Sequence, residues 1–274
     1  MTYEQDLFSL SGDIAVVTGG AGVLPGAVAK SLLKAGAAVA IWGRGTGHPV
    51  AEAAQKLQRE TGVPEGRVIG ITVDTADEAA VAAAIGETEA KLGVPTILIN
   101  GVGGNRGKSP FVDIDIETFN DVVTMNLGAG LVIPLKHFAR YWIARKQPAT
   151  VINFASMTSY KPLSGVWAYN AAKSAVLNLT EGAARELAPH GIRVNGIAPG
   201  FFLGYQNKAL LVKNDETGEL TDRGQSIIDR TPFGRFGELK DMEGVTLFLA
   251  SSRASGFVTG VTIPVDGGYL TDNI

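Results

Sequence analysis

Thr18-Gly19-Gly20-Ala21-Gly22-Val23-Leu24-Pro25-Gly26 follows the apolar run Ile14 to Val17 and precedes a stretch with apolar spacing of three and four at Val28, Leu32 and Leu33. A buried strand, a glycine-rich turn and a helix, in that order, open a dinucleotide-binding βαβ unit. Glycines let the backbone approach a pyrophosphate, and the helix N-terminus offers free N–H groups and a positive dipole end. Gly20-x-Gly22-x-x-Pro25 departs from that fingerprint in its third place. Proline suits the first turn of a helix, so the element survives, with a more restricted turn. A tight structural turn would use the same glycines; the position between strand and helix favours the nucleotide reading. Gly19, Gly22, Val23 and Leu24 are the candidate cofactor contacts here.

Outward from this turn, Ala37 to Trp42, Val68 to Val73, Thr96 to Ile99, Val151 to Phe154, Val194 to Ile197 and Val261 to Val265 read as further buried strands. Ala-rich helical stretches separate them, such as the one carrying Leu177, Ala184 and Leu187. Strands buried on both faces and spaced by helices predict an α/β fold with a doubly wound parallel sheet, the Rossmann fold. No internal repeat or linker divides the chain, so residues 1–274 read as one domain. The segment 201–240 breaks the rhythm and is expected to be a helical substrate-loop insertion acting as a lid. The alternative is a solvated connection without a role.

Composition narrows the function classes. Of the 274 residues, 45% are hydrophobic and 19% charged, enough for a substantial core. A net charge of −3 offers no basic face to nucleic acid. The chain has no cysteine, which excludes disulfides, thiolate nucleophiles and Cys-based metal sites. His48, His137 and His190 lack ligand spacing and read as surface residues, so no metal is expected. Met1 to Gly12 lacks the basic and apolar blocks of a signal peptide, and no run of about 18 apolar residues suggests a membrane span. A cytoplasmic protein is the expectation.

Strand two ends at Trp42-Gly43-Arg44. An acidic residue near this point would hold the ribose hydroxyls of NAD, whereas arginine suits the 2′-phosphate of NADP. Gly43 stands at the acidic position and Arg44 follows, which favours NADP over NAD. An exposed surface arginine is the alternative. Asp74 and Thr75, at the end of strand three, are further cofactor candidates, Asp74 as an acceptor for the adenine amino group. Asp74 could equally cap the turn before a helix starting near Asp77.

Tyr169-Asn170-Ala171-Ala172-Lys173 lies in a helical stretch, and a spacing of four puts Tyr169 and Lys173 on one face. A nearby ammonium stabilises phenolate, and such a tyrosine can give a proton to a carbonyl or take one from an alcohol. Alone the pair is common by chance. Ser156 lies past a buried strand, Asn126 within Met125-Asn126-Leu127-Gly128, Asn100-Gly101-Val102-Gly103 after strand four, and Asn195 to Gly200 at the end of strand six. With these motifs the chain resembles the short-chain dehydrogenase/reductase family along nearly its whole length. The resemblance implies that Tyr169 is the general acid/base, that Lys173 lowers its pKa and bonds the nicotinamide ribose, and that Ser156 polarises the substrate carbonyl. It implies that Asn126 supports a water relay from Lys173, that Asn100 and Gly101 steady the strand beside the cofactor, and that Pro199, Gly200 and Phe202 lie near the nicotinamide. Val23 and Pro25 stand where the family usually has glycine, and Gly101 replaces a common second asparagine or alanine.

Gly103-Gly104-Asn105, Pro199 to Leu203 with Gln206-Asn207, Gly218 to Gly224 and Thr231 to Gly237 resemble the D-mannonate oxidoreductase (fructuronate reductase) branch. That resemblance implies interconversion of D-fructuronate and D-mannonate, with Asn105, Arg106, Gln206 and Asn207 as substrate residues. Lys108 could add a further donor. Arg106 is the candidate for the carboxylate, because a guanidinium binds two oxygens at once. Another sugar, polyol or oxoacyl substrate is the alternative, and a dinucleotide sensor without turnover is a further one. Asp113, Asp115 and Glu117 read as a solvated loop leading into a helix N-terminus. Gly256 to Tyr269 resembles the family's final strand, which often packs against a neighbouring subunit, and implies a homotetramer.

Overall fold

The computed structural model describes residues 2–204 and 208–272. Each apolar run forms its strand: β1 (Ile14–Thr18), β2 (Ala38–Gly43), β3 (Val68–Thr72), β4 (Ile97–Asn100), β5 (Ala149–Phe154) and β6 (Ile192–Pro199). A short hairpin of β7 (Val212–Asn214) and β8 (Glu219–Leu220) follows, and then β9 (Thr262–Val265). Seven strands make one parallel sheet in the order β3-β2-β1-β4-β5-β6-β9. The order reverses between β1 and β4, the point where open α/β sheets bind ligands beyond the strands' carboxyl ends.

The helices are α1 (Tyr3–Leu7), α2 (Val23–Lys34), α3 (Val50–Thr61), α4 (Glu78–Leu92), α5 (Ile116–Val123), α6 (Ile133–Arg145), α7 (Trp167–Leu187), α8 (Lys208–Leu211), α9 (Asp222–Asp229), α10 (Glu243–Ala250) and α11 (Ser252–Ser255). Successive strand residues point to opposite faces. Val17, Ile41, Ile99 and Ile197 therefore enter one core with Leu32 and Leu249, while Val16, Trp42, Leu98 and Val151 enter another with Phe138 and Trp142. Each fully buried aliphatic side chain contributes about 1.5–3 kcal/mol. The two buried indoles are satisfied, Trp42 Nε1 on Thr88 Oγ1 at 3.2 Å and Trp142 Nε1 on Pro95 O at 2.7 Å.

A continuous helix, Ile116–Arg145, joins α5 to α6 through a π-helical stretch, Thr124–Val132. Pro134 has no N–H to give, and the helix changes its hydrogen-bond register just before it. By length and composition this helix could cross a bilayer, but half of its apolar window is buried inside the fold. Asp115 caps α5 by accepting from Thr118 N at 2.8 Å, so the acidic run does lead into a helix N-terminus.

The insertion carries helices, α8 and α9, and a further element that its sequence pattern does not predict. Between α8 and α9 it holds the β7–β8 hairpin, whose turn is closed by Asn214 Oδ1 accepting from Glu216 N and Thr217 N. Leu211 and Ile227 are buried in it. A Cβ on Gly224 would stand 2.1 Å from Leu211 O, so α8 and α9 can pack this closely only with glycine there.

Candidate active site

Beneath the carboxyl ends of β4 and β5 runs a buried polar chain. Asn100 Nδ2 donates to Asn153 Oδ1 at 2.9 Å, Asn153 Nδ2 to Thr180 Oγ1 at 3.0 Å, and Thr180 Oγ1 to Val176 O at 2.7 Å. It ties both strands to α7, the helix carrying Tyr169 and Lys173. Asn100 thus links β4 to β5 through its side chain. Asn153 and Thr180 were not singled out from sequence. The available signal was an amide inside the apolar run Val151-Ile152-Asn153-Phe154, because a buried polar group needs a partner.

Above this chain the backbone narrows. A Cβ on Gly103 would lie 2.6 Å from Asn126 Oδ1 and 3.1 Å from Lys173 Nζ. One on Gly130, in the π-helical stretch, would lie 2.6 Å from Val102 O. Glycine at both positions lets the β4 loop pass between the two helices. Asn126 is almost wholly buried and fully engaged, with Nδ2 on Gly104 O at 2.7 Å and Val122 O at 2.8 Å, and Oδ1 accepting from Gly104 N at 3.0 Å. Its direct action is to clamp the loop beside Lys173.

Lys173 is 4% exposed, with Nζ donating to Phe154 O at 2.7 Å. Burial depresses its pKa from 10.5 to about 8. The ammonium lies 5.6 Å from the centroid of the Tyr169 ring. Burial pushes the Tyr169 hydroxyl upward in pKa, and a hydrogen bond from Ser156 opposes it. Burial is the larger influence on Tyr169, and Ser156 is the group that opposes it. Ser156 Oγ accepts from Thr158 N at 3.2 Å, which leaves its own proton to donate. The N-terminal turn of α7 is fixed by Asn170, whose amide clasps Leu163 through N (3.3 Å) and O (2.8 Å). Trp167 Nε1 on Ser109 O at 3.0 Å anchors it from the other side.

The nucleotide end keeps the shape its glycines require. Gly19 has φ +67°, and its Cβ would touch Gly101 O at 3.0 Å. Gly101 N donates to Thr18 Oγ1 at 3.0 Å, so the two strand ends are locked together. Gly22 is the N-cap of α2 and supplies no side-chain cap, leaving Val23 and Leu24 in an open first turn with Pro25. Arg44 is exposed just past β2. These residues fit a dinucleotide. Asp74 is exposed and closes a turn by accepting from Ala76 N at 3.0 Å, while Thr75 is buried beside it; Asp77, not Asp74, caps α4. Pro199 ends β6, and Gly200 lies so close to Asp266 that a Cβ would come within 2.7 Å of its Cα. Phe202 is buried with its ring against Gly237, and it also lines the cavity past the end of β6.

On the substrate side, a cavity of about 180 Å³ is lined by Asn105, Arg106, Lys108, Trp167 and Ala168, adjoining Tyr169 in the chain. Asn105 Nδ2 donates to Gly107 O at 2.9 Å, which shapes this loop. Gln206 and Asn207 lie outside the described residues. A second cavity of about 330 Å³, lined by Phe201, Phe202, Phe233 and Asp266, opens past the ends of β6 and β9. Among the described residues no group of three His, Asp or Glu could hold a metal ion. His48 and His190 are exposed, but His137 is not a solvated residue: its Nε2 lies 3.1 Å from Glu78 Oε2, beside Lys136.

A nucleotide crevice at the sheet's switch point, with serine, tyrosine and lysine converging beside it, defines a nicotinamide-dependent oxidoreductase. The family profile described as enoyl-(acyl carrier protein) reductase matches residues 24–270. The chain is 38% identical over 277 residues to the uncharacterized oxidoreductase UxuB of Bacillus subtilis strain 168, covering 96% of each. A gluconate 5-dehydrogenase from Burkholderia cenocepacia J2315, solved with NADP and tartrate, superimposes with a TM-score of 0.86 at 34% identity, over 99% of this chain and 100% of that one. A protein of Haemophilus influenza provisionally named a D-mannonate oxidoreductase, solved with NAD, gives 0.85 at 33% identity over 97% of both chains. The chain belongs to the short-chain dehydrogenase/reductase family and is an oxidoreductase that uses NADP or NAD.

Proposed function

We propose that this enzyme interconverts a keto sugar acid and its secondary alcohol, with D-fructuronate and D-mannonate as the couple. The observation that carries the reading is the placement of Arg106 and Lys108 in a cavity also lined by Trp167 and Ala168, the two residues that precede Tyr169 in the chain. Asp113 and Asp115 share that lining, so the pairing with a substrate carboxylate falls to the Arg106 guanidinium, which binds two oxygens at once, with Lys108 as a second donor. The gluconate and D-mannonate names of the structural relatives support a sugar acid, and the sequence resemblance favours the D-mannonate branch.

When bound, the reduced nicotinamide supplies the hydride that reaches the carbonyl carbon. Tyr169 gives its phenolic proton to the carbonyl oxygen, and Ser156 donates a hydrogen bond to that oxygen as negative charge develops. Lys173 lies beneath Tyr169 as the cation able to receive the resulting phenolate charge. Asn126 keeps the Gly103–Gly104 turn open beside Lys173. Arg44 selects the 2′-phosphate, making NADP the preferred cofactor. The insertion, residues 201–240, closes over the substrate.

The test is NADPH oxidation with D-fructuronate, 5-keto-D-gluconate and D-fructose, in wild type and in Tyr169→Phe. The acids should be turned over and the neutral ketose poorly. Tyr169→Phe should keep its fold and cofactor binding while losing about 10²–10⁴-fold in turnover. Activity confined to the uncharged ketose would remove the sugar-acid reading, and wild-type turnover in Tyr169→Phe would remove Tyr169 from the chemistry.

A further inference from the structure

Between Ser156 and α7 lies one hydroxyl that touches both. Ser159 closes the short 3-10 turn Met157–Ser159. Its Oγ donates to Lys173 O at 2.7 Å and accepts from Ser156 N at 3.3 Å. A hydroxyl has one proton and two lone pairs, so it can do both at once. The turn is strapped to α7 a second time by Ser174 Oγ, which donates to Ser159 O at 3.4 Å, and is closed by Ser159 N on Ser156 O at 2.9 Å. Ser156 therefore reaches the helix carrying Tyr169 and Lys173 through Ser159.

We propose that Ser159 is a positioning residue that sets Ser156 against the Tyr169–Lys173 helix, fixing the distance across which the two hydroxyls act on one substrate oxygen. This rests on the reading of Ser156 and Tyr169 as the working pair. Without the bridge, the Ser156 N–H loses its acceptor and the turn is free to shift relative to α7. A small displacement matters because the reaction needs both donors at one atom. Simple packing of the turn would make no such demand on the hydroxyl.

Ser159→Ala, Ser159→Thr, Ser156→Ala and the double variant Ser156→Ala/Ser159→Ala decide the matter. Each is assayed with NADPH and whichever of D-fructuronate and 5-keto-D-gluconate wild type reduces faster. Loss of one hydrogen bond corresponds to about a three- to tenfold effect, so Ser159→Ala should lower kcat by that factor with an unchanged KM for NADPH. Ser159→Thr, which keeps the hydroxyl, should restore most of it. In the Ser156→Ala background, Ser159→Ala should cost less than about twofold, because it acts through the missing group. The pH profile for alcohol oxidation should move to higher pH in Ser159→Ala, in the same direction as in Ser156→Ala. An unchanged kcat in Ser159→Ala, or an equal loss in both backgrounds, overturns the positioning role and leaves the Ser156–Tyr169 pair standing. Wild-type turnover in Ser156→Ala overturns the pair and this inference with it.

Discussion

Replacing Lys173 by methionine should make the cofactor-free protein more stable at neutral pH while abolishing its use as an enzyme. The buried ammonium has its pKa depressed from 10.5 to about 8 by loss of solvent. At 1.36 kcal/mol per pKa unit, keeping it charged costs about 3 kcal/mol at pH 7. Methionine preserves most of the volume and removes that cost, but leaves Phe154 O without its donor at 2.7 Å, a loss of about 1–3 kcal/mol. The expected net gain is about 0–2 kcal/mol, a rise of up to roughly 8 °C in Tm for a chain of this size. The pH dependence has a definite sign. Because the folded pKa is the lower one, the unfolded chain binds more protons between about pH 8 and 10.5, and wild-type stability gains over that window. The penalty is complete below pH 8 and gone above 10.5, so the variant's advantage should shrink with rising pH and then reverse. Thermal midpoints at pH 7 and about pH 9.5, at one protein concentration and scan rate, measure it. A Lys173→Met variant less stable than wild type at pH 7, or a difference that does not move with pH, would refute the claim that desolvation dominates at this lysine.

Arg44→Ala should weaken NADPH binding about tenfold and leave NADH nearly unchanged, because only the 2′-phosphate gains a charge-assisted bond there; fluorescence titration of both cofactors checks this, and a better fit to NADH in wild type would show that the end of β2 is misread. The insertion should protect its amides when substrate and cofactor are both bound: hydrogen exchange over residues 208–229 should slow, and unchanged protection at saturation would count against closure.

The fold was legible because the parallel sheet buries both strand faces, so each strand is an apolar run of its own. The proton-transfer group was legible for a different reason: Tyr169 and Lys173 share one turn of one helix, so their spacing is written in the sequence. What escaped was contact between distant segments. Nothing in Met125-Asn126-Leu127 announces a π-helical stretch, nor that Gly130 within it packs against Val102 O. Ser159 meets Lys173 O at 2.7 Å across 14 residues of sequence, a pairing that no local pattern marks. The packing of the Phe202 ring on Gly237 is likewise a contact between segments that the sequence does not pair. The hairpin β7–β8 escaped because a strand of two residues, Glu219–Leu220, has no periodicity to detect.

The electrostatics of the site bear on which half of the reaction the protein itself prepares. Ser156 Oγ accepts from Thr158 N, which leaves its proton and one lone pair; toward a carbonyl oxygen, itself an acceptor, only the proton serves. Burial raises the Tyr169 pKa above that of an ordinary phenol, so at neutral pH this group also holds its proton. Both groups are therefore donors aimed at an oxygen that gains negative charge, which is the oxygen of a ketone under reduction. Alcohol oxidation needs the opposite, a Tyr169 phenolate, and the protein offers two features toward it: the Ser156 hydrogen bond, which lowers the Tyr169 pKa, and the Lys173 cation at 5.6 Å from the ring. Of these, the cation weakens as pH rises through about 8, just where phenolate is wanted. The Ser156 hydroxyl carries no charge to lose over that range, so holding Ser156 in place matters more to the oxidative direction than to the reductive one. The bridge through Ser159 is what ties it to α7.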